Sequence, residues 1–69
     1  MTTGERLGQW LDDNGISRGK LARDHGLHRS AVTRYISGVR VPALRAAAAI
    51  ELATGGAVKA VSWVDLSEE

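Results

Sequence analysis

Residues 17–38 constrain the fold more than any other part of this 69-residue chain. Ser17 is a favourable N-cap for a short helix, and Gly26 can end that helix in a left-handed conformation that costs glycine little. A second helix begins near residue 28 and ends at Gly38. The segment therefore predicts two short helices joined by a tight turn.

A helix is predicted before this pair, over residues 3–13. Leu7, Trp10 and Leu11 recur there at helical spacing, which predicts one apolar stripe that faces the core. Favourable capping residues bound the stretch, with Thr2 or Thr3 at its start and Asn14-Gly15 at its end.

Another helix is predicted after the pair, over residues 43–53, because alanine is the residue that most favours helix. Pro42 suits its first turn, where a missing N–H group does no harm. Thr54-Gly55-Gly56 ends it sharply. Its core-facing residues are expected to be Leu44, Ala47 and Ile50.

The segment that follows, residues 57–66, fits either a strand or a short helical turn. Its β-branched residues favour a strand, but a single strand has no partner in so short a chain. We therefore predict a helical turn over residues 62–66, capped by Ser62. The expected fold class is all-α, a four- to five-helix bundle with a short apolar C-terminal tail, in one domain of residues 1–69.

Positive charge is concentrated in the middle of the chain, although the formal net charge is only +1. Residues 18–45 carry a net charge of +6, whereas residues 1–17 carry −2 and residues 46–69 carry −3. One cationic surface between acidic ends is typical of a protein that binds a polyanion. A solvated helical surface of the same composition remains the alternative.

The sequence offers little for catalysis or metal binding. It contains no cysteine, which excludes disulfides and thiolate metal sites. His25 and His28 straddle the turn at Gly26 and have no clear acidic companion, which favours surface histidines over a zinc site. No serine lies in a nucleophile motif. We expect no enzyme, no cofactor and no metal.

The sequence says little about where in the cell the protein is located. The longest apolar run, residues 46–50, is far shorter than the roughly 20 residues that a membrane span needs. No secretory signal is visible at the N-terminus. We therefore expect a cytoplasmic protein that does not bind a membrane.

Several residues occur at spacings that are found together in one family. They are Leu21-Ala22, Gly26, Val32, Ser37-Gly38 and Pro42, followed by the run Ile50-Glu51-Leu52-Ala53-Thr54-Gly55-Gly56-Ala57-Val58. Through them, over about residues 5–64, the chain resembles the helix-turn-helix family of lambda-repressor and Cro-type proteins, in particular the small phage-type and YdaS-like transcriptional regulators. A small Ala22 lets the two helices of residues 17–37 cross closely, Gly26 makes the turn, and Val32 packs beneath both.

The resemblance implies that the second of these helices enters the major groove of double-stranded DNA. Arginine pairs with the O6 and N7 atoms of guanine, whereas serine and threonine accept several bases. Carried over residue by residue, four side chains take the base-reading positions: Arg29, Ser30, Thr33 and Arg34. One of the two arginines is expected to contact guanine, and the alternative that both contact only phosphate stays open.

Contacts with the DNA backbone are expected on either side of the reading helix. The free N–H groups at the start of the helix after Ser17 would point at a phosphate. Arg18 stands where many such repressors carry glutamine, so the resemblance does not extend to the way that glutamine braces the reading helix. The expected backbone contacts are Ser17, Arg18, Lys20, His28, Ser37 and Arg40, and Arg45 is a further candidate.

These features predict a sequence-specific DNA-binding transcriptional regulator, a repressor that occludes a promoter. One helix-turn-helix reads only a few base pairs, so a homodimer, or monomers that pair on the DNA, is expected on an inverted repeat. Its interface is expected in the tail, beside the end of the last helix, at Val58, Val61, Trp63 and Val64. Packing of Trp63 over the first helix is equally compatible with the sequence.

Two other functions also fit the sequence. One is an antitoxin-like or accessory module whose main partner is another protein. The other is a protein that coats DNA without sequence preference.

Overall fold

A computed structural model describes residues 1–64, which form four α-helices and one 3₁₀ helix and contain no strand. The predicted all-α fold is confirmed. In chain order the elements are α1 (Thr3–Asn14), α2 (Arg18–Asp24), α3 (Arg29–Ser37), α4 (Leu44–Ala53) and the 3₁₀ helix Ala60–Trp63. None of the helices in this part of the chain is long and apolar enough to cross a membrane.

Side-chain caps set the starts of α1 and α2. The Thr2 hydroxyl accepts a hydrogen bond from the Glu5 N–H at 3.0 Å, and the Glu5 carboxylate accepts one from the Thr2 N–H at 2.8 Å. This reciprocal pair is a capping box, which satisfies two N–H groups that the helix itself leaves free. Ser17 caps α2 by accepting from the Lys20 N–H at 3.1 Å. The sequence predicted Ser17 as the cap of α2, and Thr2 is one of the two residues that it offered as the cap of α1.

The turn between α2 and α3 is built around Gly26. Its φ of +69° lies in the left-handed region, as the sequence predicted. The next residue, Leu27, donates its N–H to the carbonyl of Ala22 at 2.8 Å and packs against the core. The turn is therefore fixed by backbone geometry and by burial of the residue that follows it.

One core joins all the helices. Leu7, Val32 and Ile50 are fully buried, one each from α1, α3 and α4. Trp10 is half-buried at the edge of the core instead of lying within it. The buried cluster consists of Leu7, Leu11, Leu21, Ala22, Val32, Tyr35, Ala46, Ile50 and Val58.

The start of α4 differs from the prediction. Pro42 is buried but lies before the helix, because Ala43 is the N-cap. Leu44 was expected to face the core and is instead exposed. It precedes the buried Ile50 by six residues, which places it about 120° around the helix from Ile50. Ala46 and Ala47, which lie closer to Ile50 around the helix, are the residues that pack inward.

The tail folds back on its own chain, but in a different register from the prediction. The 3₁₀ helix begins at Ala60, whose N–H donates to the Glu51 carboxylate of α4 at 2.8 Å. Ser62 lies inside this helix and does not cap it. Its carbonyl accepts from the Thr3 hydroxyl at 2.6 Å. The rest of the predicted turn, residues 65 and 66, lies outside the described residues.

The predicted dimer interface needs correction at Val58. This side chain is only 1% exposed and belongs to the core, so it is not available to a partner. Trp63 is half-buried and meets the Tyr35 ring edge-on, with 6.2 Å between ring centroids. Val61 and Val64 remain exposed. Two of the four expected interface side chains therefore contribute mainly to the fold of a single copy.

Candidate nucleic-acid interface

The helix α3 separates its side chains cleanly between core and solvent. Val32 and Tyr35 are buried on its inner side. An α-helix advances by about 100° per residue, so the polar residues fall within an arc of roughly 140° on the opposite side. These residues, all exposed, are Arg29, Ser30, Thr33, Arg34 and Ser37. The structure therefore brings the four predicted base-reading residues onto one outer face.

Most polar side chains on this face have no hydrogen-bond or ion-pair partner within residues 1–64. Four of these side chains form no hydrogen bond and no ion pair there: Arg29, Ser30, Thr33 and Arg34. Ser37 is different, because its hydroxyl donates to the Arg34 carbonyl at 3.2 Å. The other four side chains can therefore turn their donors and acceptors to an external ligand.

A cationic cleft of about 400 Å³ lies beside the start of α3. The approach of Arg29 to α2 helps to form it, because the Arg29 Cδ lies 3.8 Å from the point that a Cβ on Gly19 would occupy. The first residue of α3 thus leans towards α2. The cleft is lined by Ser17, Arg18, Gly19, Lys20, Arg23 and Arg29, four of them cationic.

Arg23 is a cleft residue that sequence reasoning missed. It follows Lys20 by three residues on α2, a spacing that places two side chains on the same helical face. That spacing was the available signal. With Arg23 included, the cleft can neutralise more phosphate charge than the predicted contacts alone.

Lys20 forms the only ion pair among the described residues. Its Nζ lies 2.9 Å from Oδ2 of Asp24, one helical turn further along α2. The hydrogen bond from Lys20 lowers the pKa of Asp24 below its usual range, with smaller contributions from nearby cations. Asp24 is therefore ionised at neutral pH and offsets one cleft charge. An exposed pair of this kind is weak, so a phosphate can compete for Lys20.

The remaining predicted backbone contacts are spread along α3. His28 is exposed at the start of α3 and makes no side-chain cap. Arg40 is exposed beyond the other end of α3, where it lines a separate cavity of about 240 Å³ beside Tyr35. The nine residues of α3 span about 13 Å, so Arg40 is not part of the cleft. Cations therefore lie beyond both ends of α3.

Comparisons with models of known protein families, with curated proteins and with solved structures give no match. The candidate interface rests on the geometry of this chain alone.

Across residues 1–64 the structure brings no three histidine, aspartate or glutamate side chains together as a group that could hold a metal ion.

Proposed function

We propose that this protein binds double-stranded DNA with sequence preference through the outer face of α3, as a small transcriptional regulator. One observation carries the proposal. Four exposed polar side chains share that face without internal partners, and one of them, Arg29, also lines a cleft with three further cationic side chains. The major groove admits an α-helix, and its base edges offer the donors and acceptors that such side chains read.

The geometry supports a division of tasks along α3. Ser30, Thr33 and Arg34 point away from both the core and the cleft, which suits contact with base edges. We assign the guanine contact to Arg34, because a guanidinium can bind O6 and N7 together. Arg29 leans into the cleft, and we assign it to phosphate.

Backbone contacts would hold α3 in place from both ends. Arg18, Lys20 and Arg23 supply the charge at the cleft, and Arg40 supplies it beyond the C-terminal end. Such contacts fix orientation and supply affinity without reading sequence. Each neutralised phosphate releases counterions, so the affinity should fall steeply as salt rises.

Regulation by such a small protein requires more than one copy. A single α3 reads only a few base pairs, and useful specificity needs two half-sites about one helical turn apart. We propose a homodimer on an inverted repeat that represses, in the cytoplasm, by occluding a promoter.

Binding measurements with alanine variants test this proposal. The wild-type protein should prefer one duplex over its base-substituted versions, and Arg34→Ala should lose that preference. Lys59→Ala is the matched control, because it removes one positive charge from the segment beyond α4 and should leave the preference intact.

Two outcomes would contradict the proposal. Equal affinity of the wild-type protein for all duplexes would indicate a protein that coats DNA. No binding to any duplex would favour the module whose partner is another protein.

A further inference from the structure

The outer face of α4 is apolar and uncovered by the rest of the described chain. Leu44 is 81% exposed and Leu52 is 78% exposed, and Ala48 between them is exposed as well. A spacing of four residues places each leucine about 40° to either side of Ala48. The three side chains form one stripe along the helix. Contiguous exposed apolar surface of this kind marks interaction sites on small proteins.

This face is symmetric about Ala48 in both its apolar and its charged residues. Leu44 and Leu52 lie four residues before and after it, and Arg45 and Glu51 lie three residues before and after it. If a second copy packs antiparallel with the two Ala48 residues opposed, Leu44 meets the partner's Leu52. Arg45 then lies level with the partner's Glu51 along the helix axes, on the other side of the leucine stripe, and the symmetry repeats both relationships. A parallel arrangement would instead oppose Arg45 to Arg45.

The two charged residues are available for such a pairing. Arg45 is exposed and forms no ion pair within residues 1–64. Glu51 is held in place because its Oε1 accepts from the Ala60 N–H at 2.8 Å, while its Oε2 receives no hydrogen bond from the described residues. The small side chain of Ala48 allows the helix axes to approach to within about 8–10 Å.

We propose that a second copy of this chain binds the outer face of α4 through an antiparallel contact centred on Ala48. This contact is the interface of the homodimer in the proposed function, and the inference rests on that function. The α4 helix has only ten residues, which is short for a standard interface of about 800 Å² per partner. We therefore expect a reversible dimer whose fraction rises with concentration.

A single introduced cysteine tests the position of the two-fold axis. The chain has no cysteine of its own, so Ala48→Cys contains one thiol per copy. Opposed helices at the expected spacing bring the two Cα atoms within the roughly 4.4–6.8 Å that a disulfide needs. Mild oxidation should convert most of the protein to a covalent dimer. The control is Val61→Cys, whose side chain is also exposed but lies in the 3₁₀ helix.

The expected result is a covalent dimer from Ala48→Cys and little or none from Val61→Cys. The reverse pattern would overturn the proposal in favour of an interface in the tail. Monomeric wild-type protein at every concentration in sedimentation would also overturn it, and would mean that something other than a second copy covers this face.

A charge exchange tests the antiparallel register. Arg45→Glu and Glu51→Lys should each weaken self-association, because each opposes like charges across the interface. An equimolar mixture should form a heterodimer, since every crossing pair is then of opposite charge. Glu51→Lys also loses the hydrogen bond from the Ala60 N–H, but that loss cannot restore association in the mixture. The mixture is therefore the decisive measurement. A mixture that stays as monomeric as its components would overturn the register.

These measurements contain no DNA, so they separate the two proposals. A dimer that forms as described but binds no duplex would contradict only the proposed function. A monomer that prefers one DNA sequence would contradict the α4 interface and the homodimer of the proposed function, and would leave only the sequence preference of α3 standing.

Discussion

Gly4 of α1 lies directly against the main-chain carbonyl oxygen of Tyr35 in α3, and a Cβ at position 4 would overlap that oxygen. The same Cβ would lie 2.8 Å from the carbonyl oxygen of Ile36. The two helices therefore touch backbone to backbone near the C-terminal end of α3. This contact fixes the inner side of α3 and, with it, the direction in which the outer face points.

We expect Gly4→Ala to destabilise the protein strongly. The added methyl group meets main-chain atoms that cannot rotate away, so α1 must move off α3, at a cost of about 3 kcal/mol. Urea denaturation followed by circular dichroism measures the change in the free energy of unfolding.

Gly8→Ala is the matched control for this substitution. Its Cβ would lie 3.1 Å from Cγ2 of Ile36, a side-chain atom that can shift. Alanine also favours helix over glycine by about 1 kcal/mol. The stability of Gly8→Ala should therefore stay within about 1 kcal/mol of wild type. Equal losses at the two positions would contradict the backbone contact.

The buried hydroxyl of Thr54 joins the end of α4 to the core residue Val58. It donates to the Ile50 carbonyl at 2.9 Å and accepts from the Val58 N–H at 3.1 Å. Thr54→Val leaves that buried N–H without a partner, so we expect a loss of about 2 kcal/mol in the free energy of unfolding. Thr54→Ser keeps the hydroxyl and should lose less in the same denaturation experiment. A Thr54→Val protein as stable as wild type would rule out this role.

The contacts of Gly4 and Thr54 could not be predicted from the sequence, whereas the helix caps could. The capping residues and the turn glycine depend on local backbone geometry, so Ser17 and Gly26 were predictable from the sequence, and the cap of α1 was narrowed to Thr2 or Thr3. The contact at Gly4 depends on how α1 packs against α3, which no local pattern records. The sequence predicts that Val58 belongs to an exposed apolar tail. Nothing in the sequence shows that the Thr54 hydroxyl accepts a hydrogen bond from the Val58 N–H and so holds Val58 in the core.

Which side of α4 faces the core could not be predicted from the sequence, for a different reason. Alanines occupy both its buried and its exposed sides, so its pattern has little amphipathic contrast. The inward side could not be read from the sequence, and Leu44 was assigned to the core by mistake. On α3, by contrast, polar and apolar residues alternate with a clear helical period. The placement of Arg29, Ser30, Thr33 and Arg34 on one exposed face was therefore predictable.

Removal of the acidic group in the cleft should strengthen DNA binding. Asp24→Asn frees Lys20 for a further phosphate, so the affinity should rise and the salt dependence should steepen by about one unit of slope. Asp13→Asn makes the same charge change on α1, outside the cleft, and should have a smaller effect. Fluorescence anisotropy at several salt concentrations measures both quantities. Identical behaviour of the two variants would contradict the role assigned to the cleft.

The pH dependence of the Asp24 effect follows from the direction of its pKa shift. Because the pKa of Asp24 is lowered, the carboxylate stays charged through the neutral and mildly acidic range. Its ion pair with Lys20 is lost only as the pH falls through that lowered pKa. The difference between Asp24→Asn and wild type should therefore not change with pH near neutrality.

Arg29 and Arg40 are expected to behave alike although they lie at opposite ends of α3. Both are assigned to phosphate, so Arg29→Ala and Arg40→Ala should weaken binding to every duplex by a similar factor. Each should also lower the slope of log affinity against log salt by about one. Titrations of duplexes that differ at single base pairs check this. A preference that relaxes at one base pair in Arg29→Ala would instead identify Arg29 as a base reader.

Selection of bound duplexes from a random DNA pool tests the central claim most directly. We predict enrichment of an inverted repeat whose half-sites lie about one helical turn apart. Each half-site should contain a guanine whose enrichment disappears with Arg34→Ala. Recovery of DNA with no enriched sequence, or no recovery of DNA at all, would contradict the claim that the outer face of α3 reads sequence.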